Sequence, residues 1–109
     1  METNYYYLYE TVNLTNGKKY IGQHCTHKMD DNYFGSSTQL KEDIKSGHRY
    51  KVNVLKTFDN IYELGFAEFM EIKNRNAIKD PTYYNKDGRI HFNYAFIKPK
   101  KTKKKKTKK

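Results

Sequence analysis

The chain has 109 residues, about the size of one domain, and with 11 Tyr and 6 Phe it points to a small, aromatic-rich core. No apolar run approaches the ~20 residues that span a bilayer, Met1-Glu2-Thr3-Asn4 shows no leader pattern, and the single Cys25 leaves no internal disulfide. These features exclude membrane-spanning, secreted disulfide-scaffold and collagen-like classes, and suit a cytoplasmic location. The net charge of +10 is uneven: residues 98–109 hold nine Lys and no acid, leaving 13 basic against 12 acidic groups in residues 1–97.

Residues 5–12 (Tyr-Tyr-Tyr-Leu-Tyr-Glu-Thr-Val) are dense in aromatic and β-branched types and predict a strand. Asn16-Gly17 is a turn signal, and residues 19–24 form the return strand of a hairpin. The loop has either two residues (Asn16 and Gly17) or four (Asn13 to Asn16). Paired residue numbers then sum to 33 or to 29, both odd, so Tyr9 and Tyr20 share a face in either register, with Tyr5, Tyr7 and His24.

Residues 25–37 read as an irregular polar connection. Ser37 caps a helix from about Thr38 to Ser46, stopped by Gly47. Residues 50–58 alternate as a third strand, with Tyr50, Val52, Val54 and Lys56 on one face. Asn60, followed three places on by Glu63, opens a helix of roughly Ile61 to Arg75. Its apolar stripe takes Ile61, Leu64, Ala67 or Glu68, Met70 or Glu71, and Ile72, widened by Phe66 and Phe69. Residues 83–85 are a short extended piece, and Ile90 to Ile97 alternate as an edge strand. The order ββαβα with a trailing element predicts an α+β fold, an antiparallel three-stranded sheet flanked by helices. Residues 1–97 are expected to form the folded domain. Residues 98–109 are expected to be a disordered basic tail. Its Lys98, Lys100, Lys101, Lys103, Lys104, Lys105 and Lys106 suit counterion-releasing contact with DNA.

Two phenols beside an imidazole offer acid–base chemistry only with a cation or metal-bound water close by, because a phenol is protonated at neutral pH. A lone helix carboxylate, Glu68 or Glu71, suits one hard ion such as Mg2+, which keeps most of its waters. His24-Cys25-Thr26-His27 invites zinc, but a closed zinc site wants four ligands and the chain has one Cys, whose side chain in a strand points away from His24.

With these residues in view, the sequence resembles the GIY-YIG nucleases, and within them the small free-standing phage endonucleases of the Seg type. Tyr7-Leu8-Tyr9 stands where the family has Gly-Ile-Tyr, and Tyr20-Ile21-Gly22 matches Tyr-Ile-Gly. Gly22-Gln23-His24 and the stretch from Asp30 to Ser37 resemble the Seg segment leading into a Leu-Lys helix, here Leu40-Lys41. Glu68 falls where the family carries its metal-binding glutamate, and Tyr84-Asn85 resembles its terminal Tyr-Asn.

The resemblance implies metal-dependent hydrolysis of DNA phosphodiesters by nicking or double-strand cleavage, with one Mg2+ (or Mn2+) on Glu68 and no small-molecule cofactor. Tyr20 or Tyr9 would orient or deprotonate water, Asn85 would fix the phosphate or the local backbone, and His24 would supply a proton or positive charge. The first motif opens on Tyr7 rather than Gly. The family arginine after the second motif has no counterpart, which leaves its role to His24, Tyr33 or Lys41. With no separate recognition domain in view, sequence discrimination is expected to be low. The competing readings are a nucleic-acid-binding module without turnover, stacking bases on its tyrosines, and a homing endonuclease that has lost its targeting part.

Overall fold

The computed structural model describes residues 4–97, so the expectations for the lysine-rich segment 98–109 fall outside the described residues. In chain order the elements are β1 (Tyr5–Asn13), β2 (Lys19–Thr26), α1 (Thr38–Lys45), β3 (Tyr50–Phe58) and α2 (Ile61–Asn74), then a 3-10 turn at Tyr94–Phe96. The strands form one antiparallel sheet in the order β2-β1-β3. This is the expected α+β architecture. No helix among the described residues is long and apolar enough to cross a membrane.

Both helices start where their caps sit. Ser37 accepts from the Leu40 N–H, and Asn60 accepts from the Tyr62 and Glu63 N–H groups. The core lies between α2 and one face of the sheet. Tyr6 and Leu8 of β1 and Ile21 and Cys25 of β2 meet Ile61, Leu64 and Ile72 of α2, with Ala77 beyond it. Each such side chain contributes about 1.5–3 kcal/mol by burial. Cys25 belongs to this face and His24 to the other, so the His24-Cys25 pair divides across the sheet, and burial pushes the Cys25 thiol up to about 11.

Several expectations are corrected. The hairpin takes neither expected register. Tyr9 pairs with Gly22 and Thr11 with Tyr20, a sum of 31. The buried Asn13 draws the turn one residue from each expected position, because its Oδ1 accepts from the Thr15 and Asn16 N–H groups while Gly17 N–H bonds back to Asn13 O. The sum stays odd, so the shared face survives.

β3 does not alternate throughout. A bulge at Leu55 lets Tyr9 pair with Val54 but Leu8 with Lys56. Tyr50, Val52 and Val54 therefore keep to the Tyr9 face, while Lys56 crosses over and Phe58 reaches the core. The stripe of α2 is narrower than expected. Glu68 takes the buried position, Phe66 stands 56% exposed, and Phe69 is only half-buried.

Residues 90–97 make no strand. The segment crosses α2 instead, Phe92 packing on the core and against Tyr62, before the 3-10 turn. Residues 82–85 occupy part of the β2 edge. Tyr83 bridges Lys19 in parallel, and Tyr84 N–H donates to Lys19 O at 2.8 Å.

Candidate active site

Tyr9 sits on the central strand, and its ring runs across β2 above Gly22. A Cβ at position 22 would stand 2.3 Å from Tyr9 Oη and 2.5 Å from Cζ, so only glycine leaves this path open. The hydroxyl thereby reaches the outer edge of β2, and Glu68 comes to the same edge from α2 on the other side of the sheet. Tyr9, Tyr20, Glu68, Gln23 and Asn85 line one open cavity of about 560 Å3.

Tyr20 Oη and Ser36 Oγ are hydrogen-bonded at 3.0 Å. Gln23 Nε2 donates to Glu68 Oε1 at 2.6 Å and to His91 O at 3.0 Å, leaving Gln23 Oε1 buried with no donor. Asn85 is bonded twice to one backbone residue: Ile21 N–H donates to its Oδ1 at 2.9 Å, and its Nδ2 donates to Ile21 O at 2.8 Å. It stands in for a neighbouring strand and fixes the segment that carries Tyr20.

The cavity resists negative charge. Burial raises the Tyr9 phenol far above its ordinary value, with Tyr20, Tyr33 and Glu68 adding to the effect. Burial also raises Tyr20, opposed by its bond to Ser36 and reinforced by Glu68. The Glu68 carboxyl is pushed up by burial, and the Gln23 hydrogen bond only partly offsets this. A cation beside these groups would oppose the shift in all three. Among the described residues no cluster of three or more His, Cys, Asp or Glu could hold a metal. The donors facing the cavity are mostly oxygens: the buried Glu68 carboxylate, two phenols, an orphaned amide oxygen behind them, and the more exposed Asp87 carboxylate, which is paired with the His91 imidazole. Such a set fits a hard ion that keeps its waters, and it does not fit zinc.

The remaining expected residues stand around this cavity rather than in it. His24 stacks on Tyr33, with centroids 3.8 Å apart and planes at 6°, and Tyr33 meets Tyr9 edge-on at 5.9 Å. His24 Nε2 lies 2.6 Å from Asp31 Oδ2. Partial burial raises the Asp31 carboxyl, but hydrogen bonds from His24 and Thr26 outweigh it and hold Asp31 below its usual value. Tyr7 packs against His24 and Tyr9, and burial, with Asp31 and Tyr33, pushes its phenol up to about 12. Lys41 is exposed on α1, outside the cavity lining. Glu71 is bound to Arg75 Nε at 2.7 Å and does not line the cavity, which separates it from Glu68.

Sequence reasoning missed the groups that come from far along the chain. Gln23 and the strap of residues 86–93 form one wall. A buried Asn13 Nδ2 donates to Tyr84 Oη at 2.8 Å, and that hydroxyl donates to Asp43 Oδ2 at 2.6 Å, tying the hairpin turn to α1. The one signal was Gly22, which in a strand interior marks a close approach.

Comparison with known proteins gives 40% identity over 83 residues to "Putative endonuclease segE" of Enterobacteria phage T4, covering 74% of this chain and 40% of that protein. Identity is 32% over 80 residues to "Putative endonuclease segD" (72% of this chain, 36% of that one) and 31% over 86 residues to "Endonuclease segA" (77% and 38%), both of the same phage. The chain thus spans about two fifths of the length of the curated relatives it matches. No family model matches. No solved structure matches either.

Proposed function

We propose that this chain is a GIY-YIG-type endonuclease unit that hydrolyses DNA phosphodiesters with one Mg2+ (or Mn2+) and little sequence discrimination, in a reducing cytoplasm. One observation carries the reading: the hydroxyl-bearing Tyr9 and Tyr20 and the carboxyl-bearing Glu68 line the same cavity at the β2 edge. Relatives named as endonucleases, matching about three quarters of this chain, support the same reading.

Glu68 would hold the ion, its carboxylate aligned by Gln23 Nε2. When bound, the ion would supply Lewis-acid stabilisation of the charge that develops on the phosphate and on the leaving oxygen. Both phenols are neutral at pH 7 in the surroundings described, so they act first as hydrogen-bonding groups. Tyr20, half-buried and paired with Ser36, would orient the attacking water, taking up its proton as its own passes to solvent. Tyr9, 1% exposed, would donate to a phosphate oxygen from the cavity wall. Asn85 holds the Ile21 backbone and thereby the position of Tyr20.

The test is nicking of supercoiled plasmid by the full chain. Activity is expected with Mg2+, none with chelator, and losses of at least about 100-fold in Glu68→Ala and Tyr20→Phe. Wild-type rates in both variants would refute the assignment. Equal DNA binding by all three proteins with no cleavage at any Mg2+ or Mn2+ concentration would instead make the domain a binding module.

A further inference from the structure

The cavity wall opposite α1 is a strap that begins after Asn85 and crosses α2. It is held along its length. Asn85 is bonded to Ile21 at one end. Asp87 accepts from Arg89 Nε at 3.1 Å and from Arg89 Nη2 at 3.0 Å, and it lies 2.9 Å from His91 Nε2. His91 O accepts from Gln23. Where the strap meets α2 the helix has Gly65, and a Cβ there would stand 2.3 Å from His91 O and 2.5 Å from the Phe92 ring. The path of the strap is therefore built into the helix.

Lys86 is the one permanently charged cation among the described residues that line the cavity. It is exposed, and among the described residues it has no hydrogen-bond or ion-pair partner. The connection between β2 and α1 offers no such group, because Lys28 is exposed outside the lining and α1 turns Lys41 to solvent. A phosphodiester brings one negative charge into a space that already holds the Glu68 and Asp87 carboxyls and two phenols, so a positive partner on the protein, beside any ion held by Glu68, favours its entry. A lysine ammonium serves as a point-charge ligand for phosphate.

We propose that Lys86 is the cationic contact for a phosphodiester oxygen of the nucleic-acid strand entering this cavity, held in place by the Asn85 and Gly65 anchorages of the strap. The identity of the ligand rests on the nuclease reading above, whereas the site rests on the cavity itself. Lys86 would thus provide the positive charge that the family resemblance placed on the segment from His24 to Lys41.

Two measurements on the full chain separate this inference from that reading. In NMR titration with the dinucleotide thymidylyl-thymidine, saturable amide shifts are expected along residues 85–91 and 36–39, and Lys86→Ala should abolish those of the strap. In single-turnover nicking, Lys86→Ala should lose about tenfold to a hundredfold, Lys86→Arg should stay within about threefold because charge and reach are retained, and Lys45→Ala should match wild type. Wild-type nicking by Lys86→Ala, or strap shifts that are absent or that persist in Lys86→Ala, would overturn the proposal. If wild type never nicks but the strap response depends on Lys86, the nuclease reading falls and the phosphodiester site stands.

Discussion

The crossing of Tyr9 over Gly22 can be tested as a coupling energy. In Gly22→Ala the new methyl would fall 2.3–2.9 Å from Tyr9 Oη, Cζ and Cε2, and these atoms belong to a ring 1% exposed and packed among Tyr7, Tyr20 and Tyr33. A ring packed on these sides cannot shift without disturbing its neighbours, so the substitution should cost about 1–3 kcal/mol, the usual range for overpacking. That outweighs the roughly 0.5–1 kcal/mol that alanine gains over glycine in a strand. Tyr9→Leu removes the three clashing atoms and loses burial on its own account. In that background Gly22→Ala should be neutral or slightly stabilising. Urea denaturation of the four proteins of this cycle should therefore give a coupling of at least about 1 kcal/mol. In plasmid nicking, Gly22→Ala should also lose activity although it removes no functional group. Additive stabilities would show that the ring does not pass over residue 22, and the shared cavity would lose its basis.

Two further outcomes follow from neighbouring groups. Asn85→Ala leaves the buried Ile21 N–H and C=O without their side-chain partner, so denaturation should show a loss of about 2–4 kcal/mol, whereas Lys79→Ala on the exposed surface should stay within about 0.5 kcal/mol. Glu10 gives a pH dependence: burial raises its carboxyl, but bonds from Arg75 at 2.6 Å and from Asn53 at 3.4 Å outweigh it and hold the folded value below the ordinary one. A depressed carboxylate stabilises fully above its unfolded value near ~4.3 and loses that contribution as pH falls through the folded value. Wild type should therefore lose more stability than Glu10→Gln between pH 6 and pH 3 in parallel urea titrations, and equal losses would remove Glu10 from the acid response.

Local signals in the sequence were reliable where one residue type decides the outcome. Ser37 and Asn60 start their helices because their side chains accept the free N–H groups, and the β3 limits follow from its composition. The Tyr9–Tyr20 face was legible for a stronger reason: period two needs only the parity of the register, so it survived a register that neither expected turn produced. Whatever depended on partners distant in the chain was not legible. The bulge at Leu55 turned Lys56 across the sheet, and Phe66 remained exposed because among the described residues no other element covers that side of α2. Alternation in residues 90–97 resembled a strand, yet the β2 edge was already occupied by Tyr83 and by the Asn85 amide, so the segment passed over Gly65 instead.

The same topology explains why the cavity stands where it does. Tyr20 and Tyr9 belong to the face of the sheet that carries no long helix, while Glu68 belongs to the helix packed on the opposite face. Groups separated by a sheet can meet only around an edge. That requires the hairpin strand β2 to be outermost, which the order β2-β1-β3 provides. It also requires the phenol on the central strand to cross one whole strand to reach that edge, which only a side-chain-free position at its cross-strand partner allows. Gly22 is that partner. Tyr20 needs no such passage because it is already on the edge strand. The pairing of two tyrosines with one glycine and one helix glutamate is thus a single geometric solution, in which Gly22 opens the route, Asn85 stiffens the strand being crossed, and Gln23 meets the carboxylate as it comes around from beneath.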